Sequence, residues 1–140
     1  MINNKSYVSK SENETKKIAK EIVKNLISNK KRCVVFLKGD LGSGKTTFVR
    51  FALEALGLKD DEFEGSPSFT LVNEYKEGIF HMDLYRITSD EELINSGIYD
   101  YFSNEGIFFI EWPDKLKIKP DIVIEFKDKN GGRIINVHSS

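Results

Sequence analysis

The amino-acid sequence predicts an α/β domain whose sheet mixes parallel and antiparallel strands and is flanked by helices. An apolar run, CVVFLKG (33–39), leads into a glycine-rich loop and then an amphipathic helical segment, an order typical of α/β proteins. Two later segments, 68–87 and 121–139, have the pattern of β-hairpins, which place antiparallel strands in the same sheet. With 140 residues the chain has the length of one domain, so we expect 1–140 to form a single unit.

The composition argues against several classes of ligand and location. The 21 basic and 22 acidic residues leave a formal charge of −1, which gives no electrostatic reason to expect nucleic acid as the direct ligand. Cys33 is the only cysteine, so no intramolecular disulfide can form and secretion gains no support. The N-terminal residues lack the apolar segment of a signal peptide, and no apolar run approaches the roughly 18 residues of a membrane span. We therefore expect a cytoplasmic protein with no membrane association.

The first half of the chain reads as helix, strand, loop and helix. Segment 11–29 opens with Ser11 and carries Glu14 three residues later, a capping-box pattern. Its apolar residues Ile18, Ile22 or Val23, and Leu26 then recur at helical spacing, which predicts an amphipathic helix. Segment 33–39 is continuously apolar and rich in β-branched residues, which predicts a central strand buried on both faces. The helix after the loop is expected to end at Gly57.

The second half adds the elements that make the sheet mixed. Segment 68–87 predicts two strands around the turn KEG, and 89–97 predicts a short helix capped by Ser89 or Asp90. Segment 106–112 predicts a buried strand that ends in an acid. The final hairpin turns at KNGG, whose residues tolerate a positive φ.

A phosphate-binding loop is the most specific motif in the sequence. Gly39, Gly44, Lys45 and Thr46 fit the pattern G-x-x-x-x-G-K-[ST] without a gap. Glycines let backbone N–H groups converge on phosphate oxygens, and the following helix directs its positive end to the same point. Lys45 would reach the β- and γ-phosphates, and the Thr46 hydroxyl would bind Mg²⁺. The strand before the loop and the helix after it therefore indicate a single P-loop NTPase domain.

Two acids are candidates for holding the metal or orienting water. Asp83 interrupts a strand-like run, and Glu111 ends the apolar stretch IFFI. A phosphate loop supplies only one protein ligand to Mg²⁺, so an acid at a neighbouring strand end is expected. The alternatives are an ion pair between Asp83 and Arg86, and a Glu111 side chain that simply reaches solvent.

The segment between the loop and the first acid has two interpretations. Residues 64–75 contain an ordered turn followed by the hydroxyls of Ser68 and Thr70. Such a segment could sense the γ-phosphate as a switch, or it could be an ordinary loop before a hairpin.

Five motifs taken together resemble those of the TsaE family, also called YjeE. The motifs are GDLGSGKTTF (39–48), SPSFTLVNEY (66–75), HMDLYR (81–86), GIYDYF (97–102) and IEWPDKL (110–116). The family comprises small bacterial ATPases required for the threonylcarbamoyladenosine modification of tRNA. The resemblance implies a P-loop ATPase with a mixed sheet that uses ATP and Mg²⁺. It also implies partnership with the TsaB and TsaD proteins, which carry out the transfer, and contact with tRNA only indirectly through that complex.

The resemblance also implies roles for individual residues. Gly42, Ser43, Gly44, Lys45, Thr46 and Thr47 match the family's nucleotide-binding loop, and Thr46 and Glu111 match its Mg²⁺ ligands. Asp83 matches an acid important for hydrolysis, which with Lys45 and Glu111 makes the implied catalytic set. Glu12 and Arg133 fall where the family borders the base and sugar. Trp112 matches an aromatic near the site, although a core position is an alternative.

One residue departs from the family pattern. The family usually has SPT where this chain has SPS, so Ser68 replaces a threonine. The hydroxyl is retained, and the missing methyl group would leave the segment slightly looser.

Three alternative functions follow from the same loop. A small-molecule kinase would pass the phosphate to a bound substrate, but the chain has only four arginines and little length for a lid. A GTPase would need a guanine-reading N-K-x-D stretch after the loop, and none follows. A nucleotide-dependent interaction module would use 65–75 and 97–102 as contact surfaces, with Tyr99 and Tyr101 as contacts and Phe102 in the core.

The sequence thus predicts that water receives the phosphate near Asp83, while Mg²⁺ lies between Thr46, Glu111 and the phosphates. The residues alone leave open which acid binds the metal and which orients the water.

Overall fold

The computed structural model describes residues 3–139, so Met1, Ile2 and Ser140 of the predicted 1–140 domain lie outside the described residues. The strands are β1 (Asn3–Ser9), β2 (Arg32–Lys38), β3 (Val72–Tyr75), β4 (Ile79–Asp83), β5 (Gly106–Glu111), β6 (Ile122–Lys129) and β7 (Gly132–Ser139). The α-helices are α1 (Glu12–Ile22), α2 (Lys45–Ala55) and α3 (Asp90–Asn95), with a π-helical turn at Val23–Ile27 and 3₁₀ turns at Asp60–Glu62 and Ile98–Ser103.

The strands form one mixed sheet in the order β1-β7-β6-β2-β5-β4-β3. The four inner strands β6, β2, β5 and β4 run parallel to one another. The outer pairs are antiparallel, because β3 joins β4 and β7 joins β6 through the two hairpins that the sequence predicts. The predicted mixed α/β fold is therefore confirmed, with β2 buried near the centre of the sheet.

Helices cover both faces of the sheet. On one face α1 and α2 pack over a core that includes Val35, Phe48 and Phe109. On the other face α3 and the Ile98–Ser103 turn pack over Val34 and Phe108. The alternation of consecutive β2 residues between these two cores explains why its sequence is continuously apolar.

The helix predicted over 11–29 changes its winding near its end. The predicted N-cap is present, since the Ser11 hydroxyl accepts from the Glu14 N–H at 3.2 Å. The Glu14 carboxylate accepts from the Lys10 N–H rather than from Ser11, so the capping box is only half formed. The bond from Ser28 N to Val23 O then spans five residues.

Strand β1 was not predicted from the sequence. It pairs antiparallel with β7 along its length, from Asn3 opposite Ser139 to Ser9 opposite Arg133. The buried Ser9 hydroxyl lies 2.6 Å from that of Thr15 and so ties the end of β1 to α1. None of the helices within residues 3–139 combines the length and apolarity that a membrane-spanning segment requires.

Candidate functional site

The loop between β2 and α2 has the compact form that its glycines allow. Gly39 has φ +154°, and a Cβ there would come within 2.7 Å of the Ser43 hydroxyl and 2.9 Å of the Phe126 carbonyl. Gly44 has φ +101°, and a Cβ there would overlap Nη1 of Arg133. A side chain at Gly39 would push the loop away from the β6 backbone, whereas one at Gly44 would displace the Arg133 side chain that lies over the loop.

The first turn of α2 presents backbone N–H groups to the loop. Gly44 is the N-cap and provides no side-chain hydrogen bond to them. Such N–H groups, together with the positive end of the helix, are suited to binding an anion. The Ser43 hydroxyl is buried in the same loop and has no hydrogen-bond partner among the described residues 3–139, so it is available to a ligand.

Lys45 lies almost fully buried beneath the loop, with 4% of its surface exposed. Its ammonium donates to the Gly39 carbonyl at 2.5 Å and lies 3.5 Å from the centre of the Trp112 ring. Burial lowers the pKa of Lys45, while the nearby carboxylates of Glu111 and Asp83 act in the opposite direction. A group in this state gains from an anion, because added negative charge favours the ammonium form.

Thr46 and Glu111 form the polar centre of the site. The Thr46 hydroxyl lies 3.0 Å from each oxygen of the Glu111 carboxylate, and Glu111 is 2% exposed. The alternative that Glu111 reaches solvent is therefore wrong. Hydroxyl and carboxylate oxygens in contact are a donor set suited to Mg²⁺, which completes its shell with waters and phosphate oxygens.

His81 also contacts this carboxylate. Its Nε2 lies 2.6 Å from Oε2 of Glu111, and the ring is fully buried. His81 is the first residue of the motif HMDLYR, but the sequence alone indicates no role for it. Its position two residues before Asp83 on a strand could have indicated that both side chains share one face.

Asp83 is the neighbour of Glu111 across the sheet. The two acids are register partners at the carboxyl ends of the parallel strands β4 and β5, which lie about 4.8 Å apart. The Asp83 carboxylate accepts from the Ser66 hydroxyl and, at 2.9 Å, from the Tyr85 N–H. Arg86 lies over the Phe69 ring at 4.2 Å, so the predicted alternative of an Asp83–Arg86 ion pair is not what the structure has.

Two of the open cavities lie at the loop and at the start of the helix that follows it. The first, of about 390 Å³, is lined by Leu41, Gly42, Ser43, Gly44, Lys45, Thr46, Thr47, Ser66, Ser68, Asp83, Tyr85, Arg86, Glu111, Trp112 and Arg133. The second, of about 510 Å³, lies between the start of α1 and the β6–β7 turn, and includes Glu12, Thr15 and Asn130. Thr47 and Arg133 line both cavities, so the two spaces meet at these residues.

The structure thus brings the loop residues, Asp83 and Glu111 around one cavity and leaves Glu12 in the next. Arg133 extends from β7 across the loop, where its Nη2 donates to the Gly42 carbonyl at 3.2 Å. Trp112, whose φ is +56°, lines the first cavity and is only half-buried, unlike a tryptophan of the core.

Of the two segments predicted as contact surfaces, 65–75 borders the first cavity, whereas no residue of 97–102 lines it. Ser68 lines the first cavity, and Phe69 is 82% exposed beside it. In the second segment Phe102 is buried, as predicted. Tyr101 is exposed and packs edge-on against Phe80, while the Tyr99 hydroxyl accepts from the Lys117 N–H at 3.0 Å.

Comparison with known proteins identifies the family. The family model described as "Threonylcarbamoyl adenosine biosynthesis protein TsaE" matches residues 9–135. The chain is 38% identical over 135 residues to the tRNA threonylcarbamoyladenosine biosynthesis protein TsaE of Aquifex aeolicus, covering 93% of each protein. It is 43% identical over 103 residues to the protein of the same name from Haemophilus influenzae, covering 71% of this chain and 63% of that protein.

A solved structure agrees with the sequence relatives. The crystal structure of YdiB from Bacillus subtilis aligns with a TM-score of 0.75 and 29% identity, covering 99% of this chain and 87% of that one. The motifs of the loop, HMDLYR and IEWPDKL fall inside the matched residues 9–135 and converge on one cavity. The chain belongs to the TsaE family of threonylcarbamoyl adenosine biosynthesis proteins.

Proposed function

We propose that this chain binds ATP with Mg²⁺ and hydrolyses it, and that it does so in support of the threonylcarbamoyladenosine modification of tRNA. Membership of the TsaE family supports the place in tRNA modification. The observation that carries the chemistry is the convergence of Lys45, Thr46, Glu111 and Asp83 on one cavity at the end of a phosphate-binding loop.

The loop residues bind the polyphosphate. The first turn of α2, whose N–H groups have no side-chain cap, lines the cavity, and the Ser43 hydroxyl has no competing partner among residues 3–139. Lys45 leaves the Gly39 carbonyl and donates to phosphate oxygens instead, which restores a charged partner for its buried ammonium. Gly42 and Gly44 keep the backbone close enough for these contacts.

Thr46 and Glu111 hold the cation. Mg²⁺ supplies positive charge that stabilises the developing charge on the phosphate oxygens. Thr46 would offer its hydroxyl oxygen to the cation, and Glu111 would offer its carboxylate, whose oxygens lie 3.0 Å from that hydroxyl. Because Glu111 is 2% exposed, its charge gains strongly from a cation.

Asp83 orients the attacking water. Its carboxylate lies beside Glu111 in the sheet register and faces the same cavity, but Ser66 and the Tyr85 N–H are its partners. Because the two acids have different partners, we assign them different roles. Glu111 holds the metal, and Asp83 accepts a hydrogen bond from the attacking water. The Ser66 contact also links Asp83 to the segment 65–75, which suits a switch that responds to the γ-phosphate.

The second cavity receives the base and sugar. It opens beside Thr47 and Arg133, next to the loop, and Glu12 lies on its wall. Arg133 bridges the two cavities and can contact the sugar while it holds the Gly42 carbonyl.

The partners in this proposal are the TsaB and TsaD proteins, with tRNA reached indirectly through their complex. In this proposal water receives the phosphate, and the nucleotide cycle drives repeated turnover of the complex. Because the cycle serves the complex, we expect the isolated chain to hydrolyse ATP slowly.

The test is phosphate release from Mg·ATP by the chain alone and mixed with its cognate TsaB and TsaD. We expect weak activity alone, a clear change with the pair, and loss of activity in Glu111→Ala. Activity that ignores the pair but requires an added small molecule would refute the proposal and favour a small-molecule kinase.

A further inference from the structure

We infer that His81 is a positioning residue that holds the Glu111 carboxylate in the orientation needed for the cation. The inference rests on the proposed function, because the cation belongs to the proposed Mg·ATP site. His81 itself lies outside the set of residues that line the cavity, so it acts through Glu111 and not on the nucleotide.

The two carboxylate oxygens of Glu111 have different sets of partners, because His81 contacts one oxygen and Thr46 contacts both. His81 Nε2 lies 2.6 Å from Oε2, and the Thr46 hydroxyl lies 3.0 Å from both oxygens. Among residues 3–139, Oε1 therefore has Thr46 as its only hydrogen-bond partner, and Thr46 is the other expected metal ligand. Because His81 holds Oε2, the other oxygen, Oε1, stays available to the cation.

The position of Glu111 explains why such a partner is needed. It is the last residue of β5, and Trp112 directly after it has φ +56°, so the backbone leaves the sheet at this point. A glutamate side chain has three rotatable torsions and costs side-chain entropy to fix. A charged oxygen that accepts a short hydrogen bond from a buried donor is held in one orientation, and buried carboxylates require such bonds.

His81 is itself held rigidly enough to do this. It lies on the inner strand β4 opposite Phe109 of β5, and its ring is fully buried. The Phe63 ring stacks on it, with centroids 6.1 Å apart and planes inclined by 16°. The other ring nitrogen, Nδ1, is buried and has no hydrogen-bond partner in the part of the chain that the structure describes, where the bond to Glu111 is the hydrogen bond of this side chain.

A purely structural role is the competing explanation, because the ring also fills space beneath Phe63. Two substitutions distinguish these explanations, because each keeps one property of the histidine and removes the other. His81→Phe keeps an aromatic ring for the stack and removes the donor, whereas His81→Gln keeps a nitrogen near the position of Nε2 and removes the ring. If the hydrogen bond is what matters, Gln should substitute for His and Phe should not.

The measurement is the Mg²⁺ concentration at half-saturation in the presence of ATP, followed by tryptophan fluorescence. Trp112 is the only tryptophan of the chain and adjoins Glu111, so its emission reports occupation of the site. Loss of a hydrogen-bond partner behind a metal ligand typically costs 10–100-fold in metal affinity. We expect His81→Phe to raise the Mg²⁺ midpoint by roughly 10-fold or more, and His81→Gln to stay within a few-fold of the wild type.

The controls distinguish the failure of this inference from that of the proposed function. His138→Phe changes the other histidine, which is exposed on β7, and should leave the midpoint unchanged. Thermal unfolding without ligand checks each fold, and His81→Met replaces His81→Phe if the latter does not fold. A wild type with no Mg²⁺-dependent signal would overturn the proposed function and the inference with it. A normal wild type with an unchanged midpoint in His81→Phe, or with Gln as impaired as Phe, would overturn the inference alone.

Discussion

Replacing Gly44 by alanine should damage both the stability of the chain and its nucleotide binding. Gly44 has φ +101°, a conformation that costs an L-residue about 1–2 kcal/mol. A Cβ there would also overlap Nη1 of Arg133 and come within 3.0 Å of its Cζ. Arg133 would have to move and lose its hydrogen bond to the Gly42 carbonyl, a further loss of about 0.5–1 kcal/mol. The total of about 2 kcal/mol corresponds to a fall in melting temperature of roughly 5–10 °C.

Gly42→Ala is the matched control. Gly42 has φ +76°, but a Cβ there would meet nothing within 4 Å, so the substitution adds backbone strain without displacing Arg133. Differential scanning calorimetry should therefore show Gly44→Ala to be the less stable variant by about 1 kcal/mol. In calorimetric titration, Gly44→Ala should bind Mg·ATP roughly tenfold more weakly than the wild type, a loss of about 1.4 kcal/mol in binding free energy. Equal unfolding free energies for the two variants would refute the idea that Arg133 is packed over Gly44.

Three further predictions concern single groups. Asp83→Asn keeps an acceptor for the Tyr85 N–H but removes the charge, so phosphate release should fall by roughly 10²–10⁴ while ATP affinity is retained; a parallel loss of affinity would indicate a structural role instead. Burial lowers the pKa of Lys45 in the folded chain below its ordinary value of 10.5. At pH values between the lowered pKa and 10.5, Lys45 therefore binds its proton more fully in the unfolded chain than in the folded chain. The unfolding free energy of the wild type in urea should therefore rise with pH in this interval relative to Lys45→Met, and parallel pH profiles would contradict this. Burial raises the pKa of Cys33 to about 11, so iodoacetamide at neutral pH should label the thiol only after unfolding; rapid labelling of the folded chain would disprove it.

The sequence was most informative where local chemistry determines local structure. The loop required glycine at Gly39 and Gly44, and both positions have the positive φ and close contacts that glycine permits. The last hairpin turns at Asn130 and Gly131, which have φ +45° and +80° as the residue types indicate. Ser89, rather than Asp90, proved to be the cap of α3, because its hydroxyl accepts from Glu92 N.

Elements that depend on distant partners were harder to predict. Residues 3–9 are mostly polar and carry no clear alternation, so nothing local indicates a strand. The strand exists because β7 offers it a full row of backbone hydrogen-bonding groups from the far end of the sequence. The position of β6 beside β2 is likewise a matter of tertiary pairing that no sequence period encodes.

The end of the first helix shows how a period can mislead. Regular helical spacing gave Ile22 or Val23 as core residues, with Leu26 after them. The π-helical turn adds a residue to the winding, so Ile22, Val23 and Ile27 are all buried while Leu26 is only half-buried. The role inferred for His81 had a similar obstacle, since its partner Glu111 lies on another strand and only the sheet brings the two together.

The pairing of β1 with β7 also orders events during synthesis. A ribosome completes β1 early, but its partner emerges only after every other element of the fold has been made. The β7 residue Arg133, opposite Ser9 at the end of this pair, reaches over the phosphate loop and joins the two cavities. A nascent chain that has already folded its central strands therefore still lacks one wall of its ligand cavity. We expect it to bind its ligand only after residues 132–139 have paired with β1 and β6.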